Sequence, residues 1–455
     1  MPRRPTPRRL TAMLLAAGLG FGLAAPLHAQ SLAELFEAAR TYDATYLAAR
    51  AQADAAQYRK AQADALARPT LGLQAQTAQT YRDQPSAIPS AVGSDGSGNV
   101  TSAALSGRYP LFNRANDASI SQAERAFEAA QAELTLAEQE LIVRLSQAYF
   151  DVLVAVETLG TAQASKAAIA EQLAAARRNF EVGTATITDT REAQARFDLA
   201  RAQEISAEND LLVKRIALDQ LVGRTGVQPR ALALPVVLPP TVPAGIDDWV
   251  GLAEGGHPQV RRAQLGLDVA QLEIDKARAG RLPTVDVVAA WQTSYNSGLS
   301  GLGTSFGPYS GSFNNGQIGV QLNWPLYTGG AVDNRIRETL SLQDKARNDL
   351  DAARRGVAQA TRQAFTGLKS GEAAVGALEA AEASSKLALE ATQTGYRVGV
   401  RVNLDVLNAQ SQLFATQRDL AAARYSVLLG TLRLRQAAGT LNAADLQAVS
   451  RLLQP

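Results

Sequence analysis

NFEVGTATITD at 179–189 and GYRVGVRVNLD at 395–405 are one pattern written twice. In each copy an aromatic (Phe180, Tyr396) precedes a glycine (Gly183, Gly399), and polar residues then lead to an aspartate (Asp189, Asp405). Glycine suits the left-handed residue that closes a helix, and an aspartate suits the positive end of the next one. Each copy therefore reads as a tight turn between two helices. Working outward, the duplication persists. RPTLGLQAQTAQTY (68–81) matches LPTVDVVAAWQTSY (282–295), RYPLF (108–112) matches NWPLY (323–327), and Gly223 matches Gly439. The offset stays at about 214 to 216 residues throughout, a register that chance similarity does not keep over most of a chain. Two structural repeats are expected, at 30–223 and 247–455. Between them lies a linker over 224–246, marked by Pro229, Pro235, Pro239, Pro240 and Pro243.

Both halves show the same order: short helix, helix, strand, loop, strand, very long helix, turn, helix. No proline occurs between Pro110 and Pro229, or between Pro325 and Pro455. Long helices are expected over about 114–181 and 330–397, second helices over about 189–222 and 404–438, and a short helix at the C-terminus. Gly160 is the sole glycine between Asn113 and Val182, so the first long helix would run roughly 67 residues, or about 100 Å at ~1.5 Å per residue. Leu145, Tyr149, Val152, Val156 and Leu159 step by four and three, and Leu413, Leu420, Val427 and Leu434 step by seven, as in coiled-coil seams. Helices of this length belong to a tube or a stalk.

Strands are expected at about 69–82, 101–112, 283–296 and 316–327. Leu71, Leu73, Ala75, Thr77 and Tyr81 alternate with Gly72, Gln74, Gln76 and Thr80, and Ile318, Val320, Leu322 and Trp324 alternate with Gln317, Gly319, Gln321 and Asn323. Such strands have one apolar and one wet face, as a soluble sheet also can. Lengths of about 10 to 12 residues, with Tyr81, Tyr109, Trp291, Tyr295, Trp324 and Tyr327 near the ends, fit membrane strands with interfacial aromatics. The loops at 83–100 and 297–315, rich in Gly, Ser and Asn, would then face outside. Four strands cannot span a membrane alone, because an open sheet leaves unpaired edge groups in hydrocarbon. Two copies would give a barrel filled by side chains; three would leave a lumen.

Composition narrows the chemistry. A net charge of +2, with charged residues at 19% and aromatics at 5%, does not suit a nucleic-acid binder. With no cysteine there is no disulfide, thiolate nucleophile or lipid-anchor site, and the only histidines are His28 and His257. His257, beside Gly256 and Pro258, reads as a loop or helix-start residue. Zinc or triad chemistry has almost no raw material, and no cofactor is expected. Arg3, Arg4, Arg8 and Arg9 followed by the apolar run from Leu10 to Ala25 read as a signal peptide over 1–29, cleaved between Ala29 and Gln30. No later stretch reaches the ~18 to 20 apolar residues of a membrane helix.

With these features in place, the chain resembles the TolC family over essentially its whole mature length. The most specific stretches are YRVGVRVNLDVLNA (396–409) and RQAAGTLNAADL (435–446). The resemblance implies a mainly α protein with membrane β: a trimer whose twelve-stranded outer-membrane barrel continues into a periplasmic α-helical barrel. It implies an exit duct for type I protein secretion, multidrug efflux or both. Partners would be outer-membrane lipid, a periplasmic adaptor (membrane fusion) protein and an inner-membrane ABC or proton-driven transporter. It also implies a periplasmic gate, in which Tyr396 and Arg401 match the gating tyrosine and arginine and Asp189 matches their acidic partner on the other hairpin. Asp405 matches an aspartate ring at the constriction. Asn408 stands where the family pattern has a second aspartate, which leaves one acidic ring. Read without the resemblance, Asp189 and Asp405 serve equally well as helix-start residues. A trimeric coiled-coil adhesin or scaffold anchored by a membrane barrel is the alternative architecture; the internal recurrence of the strand pairs and the helical C-terminus favour the duct.

Overall fold

The computed structural model describes residues 30–82, 96–184, 186–233, 240–299 and 309–453. The expected signal peptide lies outside the described residues, as do 83–95 and 300–308 of the two expected surface loops. In chain order the elements are α1 (Leu32–Tyr42), α2 (Ala44–Asp64), β1 (Thr70–Arg82), β2 (Gly96–Phe112), α3 (Arg114–Glu181) and α4 (Ile187–Val222). The second repeat follows with α5 (Ile246–Gly256), α6 (Pro258–Ala279), β3 (Thr284–Leu299), β4 (Tyr309–Asn323), α7 (Ala331–Arg397), α8 (Asn403–Ala437) and α9 (Ala443–Ser450).

Local chemistry sets the helix ends. Ser31 and Glu34 form a reciprocal cap on α1, and Asp43 starts α2 by accepting the Tyr46 N–H at 2.8 Å. Asn113 accepts the Ala115 and Asn116 N–H groups at 3.1 and 3.2 Å, and α3 then runs unbroken for 68 residues. His257 is a helix-start residue: its Nδ1 accepts the Gln259 N–H at 3.0 Å. No described helix is long and apolar enough to cross a membrane.

The largest core wraps the middle of α3. Leu141, Ile142, Leu145, Tyr149 and Val152 are fully buried against Leu32, Leu35 and Phe36 of α1, Leu218 of α4, Leu428 and Leu432 of α8, and Leu446 of α9. The Tyr149 hydroxyl accepts the Arg230 N–H at 2.7 Å and lies 3.1 and 3.3 Å from the Arg230 and Gln30 carbonyl oxygens. One phenol thus ties the N-terminal segment and the inter-repeat linker to α3. Burial pushes its pKa up, so it stays a donor. The expected seam departs at Val156, which is 40% exposed, while Leu153 and Ala155 are buried. Val156 stands within about 40° of Leu145, Tyr149 and Val152 around the helix at ~100° per residue, so its exposure marks the end of the covering core, whose buried α3 residues stop at Ala155. On α8, Leu413, Leu420, Val427 and Leu434 are all buried.

The four strands form one antiparallel sheet in the order β1-β2-β3-β4. Register puts Leu73, Leu105, Trp291 and Gly316 in one row and Leu71, Gly107, Ala289 and Ile318 in the next. Opposite residues share a face, so this face also carries Tyr109, Val287, Tyr295, Val320 and Leu322. Leu71, Leu73, Ile318, Val320 and Leu322 are exposed on it. The other face carries Gln74, Gln76, Ser102, Ser106, Gln292, Ser294, Gln317 and Gln321. Four strand bounds differ by more than one residue from those expected. β2 begins at Gly96 and β4 at Tyr309 because Gly, Ser and Asn residues without apolar alternation are recruited by pairing with β1 and β3. β4 ends at Asn323, since Pro325 has no N–H to extend a ladder. Trp324 and Tyr327 therefore lie beyond the strand, and the Trp324 Nε1–H donates to the Arg281 carbonyl at 3.3 Å. Trp291 is mid-strand rather than near an end, because β3 continues to Leu299.

Candidate functional site

Two helical hairpins, α3–α4 and α7–α8, end in the turns that began the sequence reading. Gly183 and Gly399 have φ of 78° and 80°, which lets the chain fold back onto the last carbonyls of the long helix. The Thr184 N–H donates to the Asn179 carbonyl at 2.8 Å, and the Val400 N–H to the Gly395 carbonyl at 2.9 Å. The following helices start differently. Thr186 Oγ1 accepts the Asp189 N–H at 3.2 Å while the Asp189 carboxylate accepts the Thr186 N–H at 2.9 Å, a complete reciprocal cap. Val402 holds the matching place in the second turn. There the Asp405 carboxylate accepts the Val402 N–H at 3.4 Å, and valine has no oxygen to return the bond.

The second turn also carries a charge pair. Arg401 Nη1 lies 3.7 Å from Asp405 Oδ2, an i,i+4 pair across the turn. Asp189, expected as the acidic partner on the other hairpin, is turned back onto Thr186, and among the described residues of the chain it makes no ion pair with Arg401. Gly395 makes room for Arg401, since a Cβ there would sit 2.8 Å from Arg401 Cγ. The side chains of Arg401 and Asp405 are 61% and 36% exposed, so water screens the pair and its contribution is about 0.2–1 kcal/mol.

Toward the tips, two hydrogen bonds among the described residues join the hairpins to each other. Asn179 Nδ2 donates to the Tyr396 hydroxyl at 3.3 Å, and Arg196 Nη2 donates to Asn408 Oδ1 at 3.0 Å. Leu407 packs beside them against Ile169, Leu173 and Ala193. Of the residues singled out from sequence, Tyr396 and Asn408 are brought to the first hairpin, Arg401 and Asp405 to each other, and Asp189 to neither set. Asn179, Arg196 and Gly395 were missed. The repeat comparison held a signal for two of them: Asn179 aligns with Gly395, a position where the two copies differ in chemistry. Among the described residues no group of His, Asp or Glu is placed to hold a metal ion.

The other end of the molecule is the sheet. Tyr109 lies in the row of Val287, and Tyr295 in a row farther along the same strand. That separation is about 27 Å along the strand at ~3.4 Å per residue, or ~20 Å of height at a tilt of ~40°. A family model described as outer membrane efflux protein matches residues 35–224 and again 249–440. The chain belongs to the outer membrane efflux protein family. The two matched segments are the two repeats. The outer membrane protein TolC of Vibrio cholerae is 31% identical over 443 residues, covering 97% of this chain and 98% of its own. The alkaline protease secretion protein AprF of Pseudomonas aeruginosa is 34% identical over 316 residues, covering 69% of this chain and 64% of that one. The crystal structure of the outer membrane protein VceC from Vibrio cholerae shares the fold, with a TM-score of 0.74 at 21% identity over 90% of this chain and 96% of its own. Members of the family are efflux and type I secretion channels, and this outer membrane efflux protein is such a non-enzymatic transport channel, seated in the outer membrane and extending into the periplasm. The adhesin and scaffold alternatives are thereby set aside.

Proposed function

We propose that three copies of this chain close a twelve-stranded barrel in the outer membrane and continue as one helical tunnel, forming an exit duct for secreted protein and small-molecule efflux. The observation that carries this reading is the sheet. Among the described residues its β1 and β4 edges have no strand partner, one face is apolar and exposed, and the other is lined with glutamine and serine. Hydrocarbon tolerates no open edge, and twelve strands leave the polar face a lumen to surround. Tyr81, Tyr109 and Tyr295 on the apolar face then meet the two membrane interfaces, with Trp291 between them, while Trp324 and Tyr327 extend the girdle on the periplasmic side. AprF, named for protease secretion, supports protein cargo.

The hairpin tips are the periplasmic gate. Tyr396 and Asn408 hold it closed through Asn179 and Arg196 of the other hairpin, Arg401 and Asp405 set a charged pair at its mouth, and Asp189 stiffens the neighbouring tip through its cap. Three copies of the bond from Asn179 to Tyr396, each worth about 0.5–1.5 kcal/mol, hold the closed state by about 1.5–4.5 kcal/mol. A periplasmic adaptor with a modest preference for the open form, docked together with an inner-membrane transporter, reverses that equilibrium. In planar bilayers the parent chain is expected to form small pores, and Tyr396→Phe with Arg401→Ser is expected to raise single-channel conductance severalfold. A double variant that conducts like the parent at several salt concentrations would show that these are turn residues only.

A further inference from the structure

Charge is nearly absent from the strands. Arg82 at the end of β1, Arg108 on β2 and Asp286 on β3 are their only charged residues. Arg108 Nη2 donates to Asp286 Oδ2 at 2.7 Å. Arg108 faces Val288 and Asp286 faces Pro110, so the two are diagonal neighbours on the polar face, near the end of the sheet that leads into α3. Their exposure is opposite. The Asp286 side chain is 6% exposed and that of Arg108 58%; the carboxylate is embedded in the wall while the guanidinium stands clear of it. Asp286 Oδ1 is buried without a hydrogen-bond partner, and Asp286 is the one hydrogen-bond partner of the Arg108 guanidinium among the described residues. Around the guanidinium the wall is low: a cleft of about 370 Å³ lies here, lined in part by Gly72, Ser106, Arg108 and Ala290.

We propose that Arg108 is a specificity-determining residue of the duct: three copies form a guanidinium collar inside the base of the barrel that binds multivalent anionic groups, carboxylate or phosphate, on passing cargo. This rests on the twelve-stranded barrel proposed above, which turns the polar face inward. A guanidinium carries five N–H donors in a planar fork. Asp286 engages one end, which fixes the group and leaves the remaining donors to receive an oxyanion in bidentate geometry. The buried carboxylate offsets part of the charge, but it lies behind the guanidinium as seen from the lumen. Gln74, Gln292, Gln317 and Ser106 supply no competing charge. A lumen with low-dielectric walls focuses such a field, and at physiological salt it reaches about 8 Å from each group.

Block of single-channel current by tripolyphosphate, added to the side on which the barrel opens, tests the collar without requiring the probe to pass the hairpin tips. The parent channel is expected to be blocked, and Arg108→Gln to raise the half-blocking concentration by about tenfold or more. Arg108→Lys keeps the charge but loses the fork, so it should fall between the two and serves if the neutral variant does not assemble. Asp286→Asn uncovers the full guanidinium charge and should lower the half-blocking concentration. Parent pores that conduct but ignore tripolyphosphate would overturn the collar, as would Arg108 and Asp286 variants all within twofold of the parent. Absence of any pore from the parent chain would instead count against the barrel itself.

Discussion

At the scale of single residues, the turn glycines divide by what stands beside them. Gly399 has φ of 80° with nothing within 4 Å of where a Cβ would sit; Gly439 has φ of 73°, and a Cβ there would lie 2.6 Å from the His257 Cα. Left-handed strain alone makes alanine unfavourable by about 1–2 kcal/mol. At Gly439 the obstacle is backbone, which cannot rotate away, so overpacking adds about 1–3 kcal/mol. His257 has little freedom to retreat, because its Nδ1 caps α6 and burial holds the ring neutral, its pKa lowered. Gly439→Ala is therefore expected to lower the urea midpoint of the detergent-solubilised protein well below that of Gly399→Ala. Equal midpoints would mean that the junction of α6 and α8 yields more easily than its geometry implies. The pairing of Gly223 with Gly439 was legible in the repeat, but the reason each must be glycine was not: at Gly223 the obstacle is the Tyr42 ring, and at Gly439 the His257 backbone.

At the scale of elements, the hairpin tips are coupled by the bond from Asn179 to Tyr396. Removing either end deletes the same interaction, and a neutral hydrogen bond is worth about 0.5–1.5 kcal/mol. Asn179→Ala is expected to raise conductance about as much as Tyr396→Phe, and the two together no more than either alone. Strictly additive effects in that double-mutant cycle would place their actions on separate contacts. The long helices themselves were readable from sequence: α3 spans Arg114–Glu181, bounded by Asn113 and Gly183, whose chemistry is local. β4 was read less well. Its first half, YSGSFNN, has no apolar alternation and becomes a strand only because β3 lies alongside.

At the scale of the whole molecule, barrel closure requires β1 of one copy to meet β4 of the next, since within one chain they are the two outer strands. The chain has no native cysteine, so introduced thiols report without background. A panel pairing Gln74→Cys or Gln76→Cys on β1 with Gln317→Cys or Gln321→Cys on β4 is expected to yield covalent dimers and trimers of the chain on oxidation. Oxidation that leaves only monomer across the panel would mean that these edges are not neighbours, and the proposed barrel would have to be given up.

By itself the sequence determined what depends on short-range periodicity and on residue type. The duplication, the helix lengths, the two-faced strands, the turn glycines and the need for further copies to seal the sheet all come from patterns of 2, 3.5 or 216 residues and from the chemistry of a few caps, features that a linear reading preserves. Only the tertiary structure decided which polar group meets which. Arg108 and Asp286 are 178 residues apart, Arg196 and Asn408 are 212, and Asn179 and Tyr396 are 217. A side chain on a polar face has many partners of suitable chemistry along the chain, and no local preference chooses among them. The packing of the hairpins and the register of the sheet make the choice, by bringing one partner within hydrogen-bond reach and leaving the others beyond it.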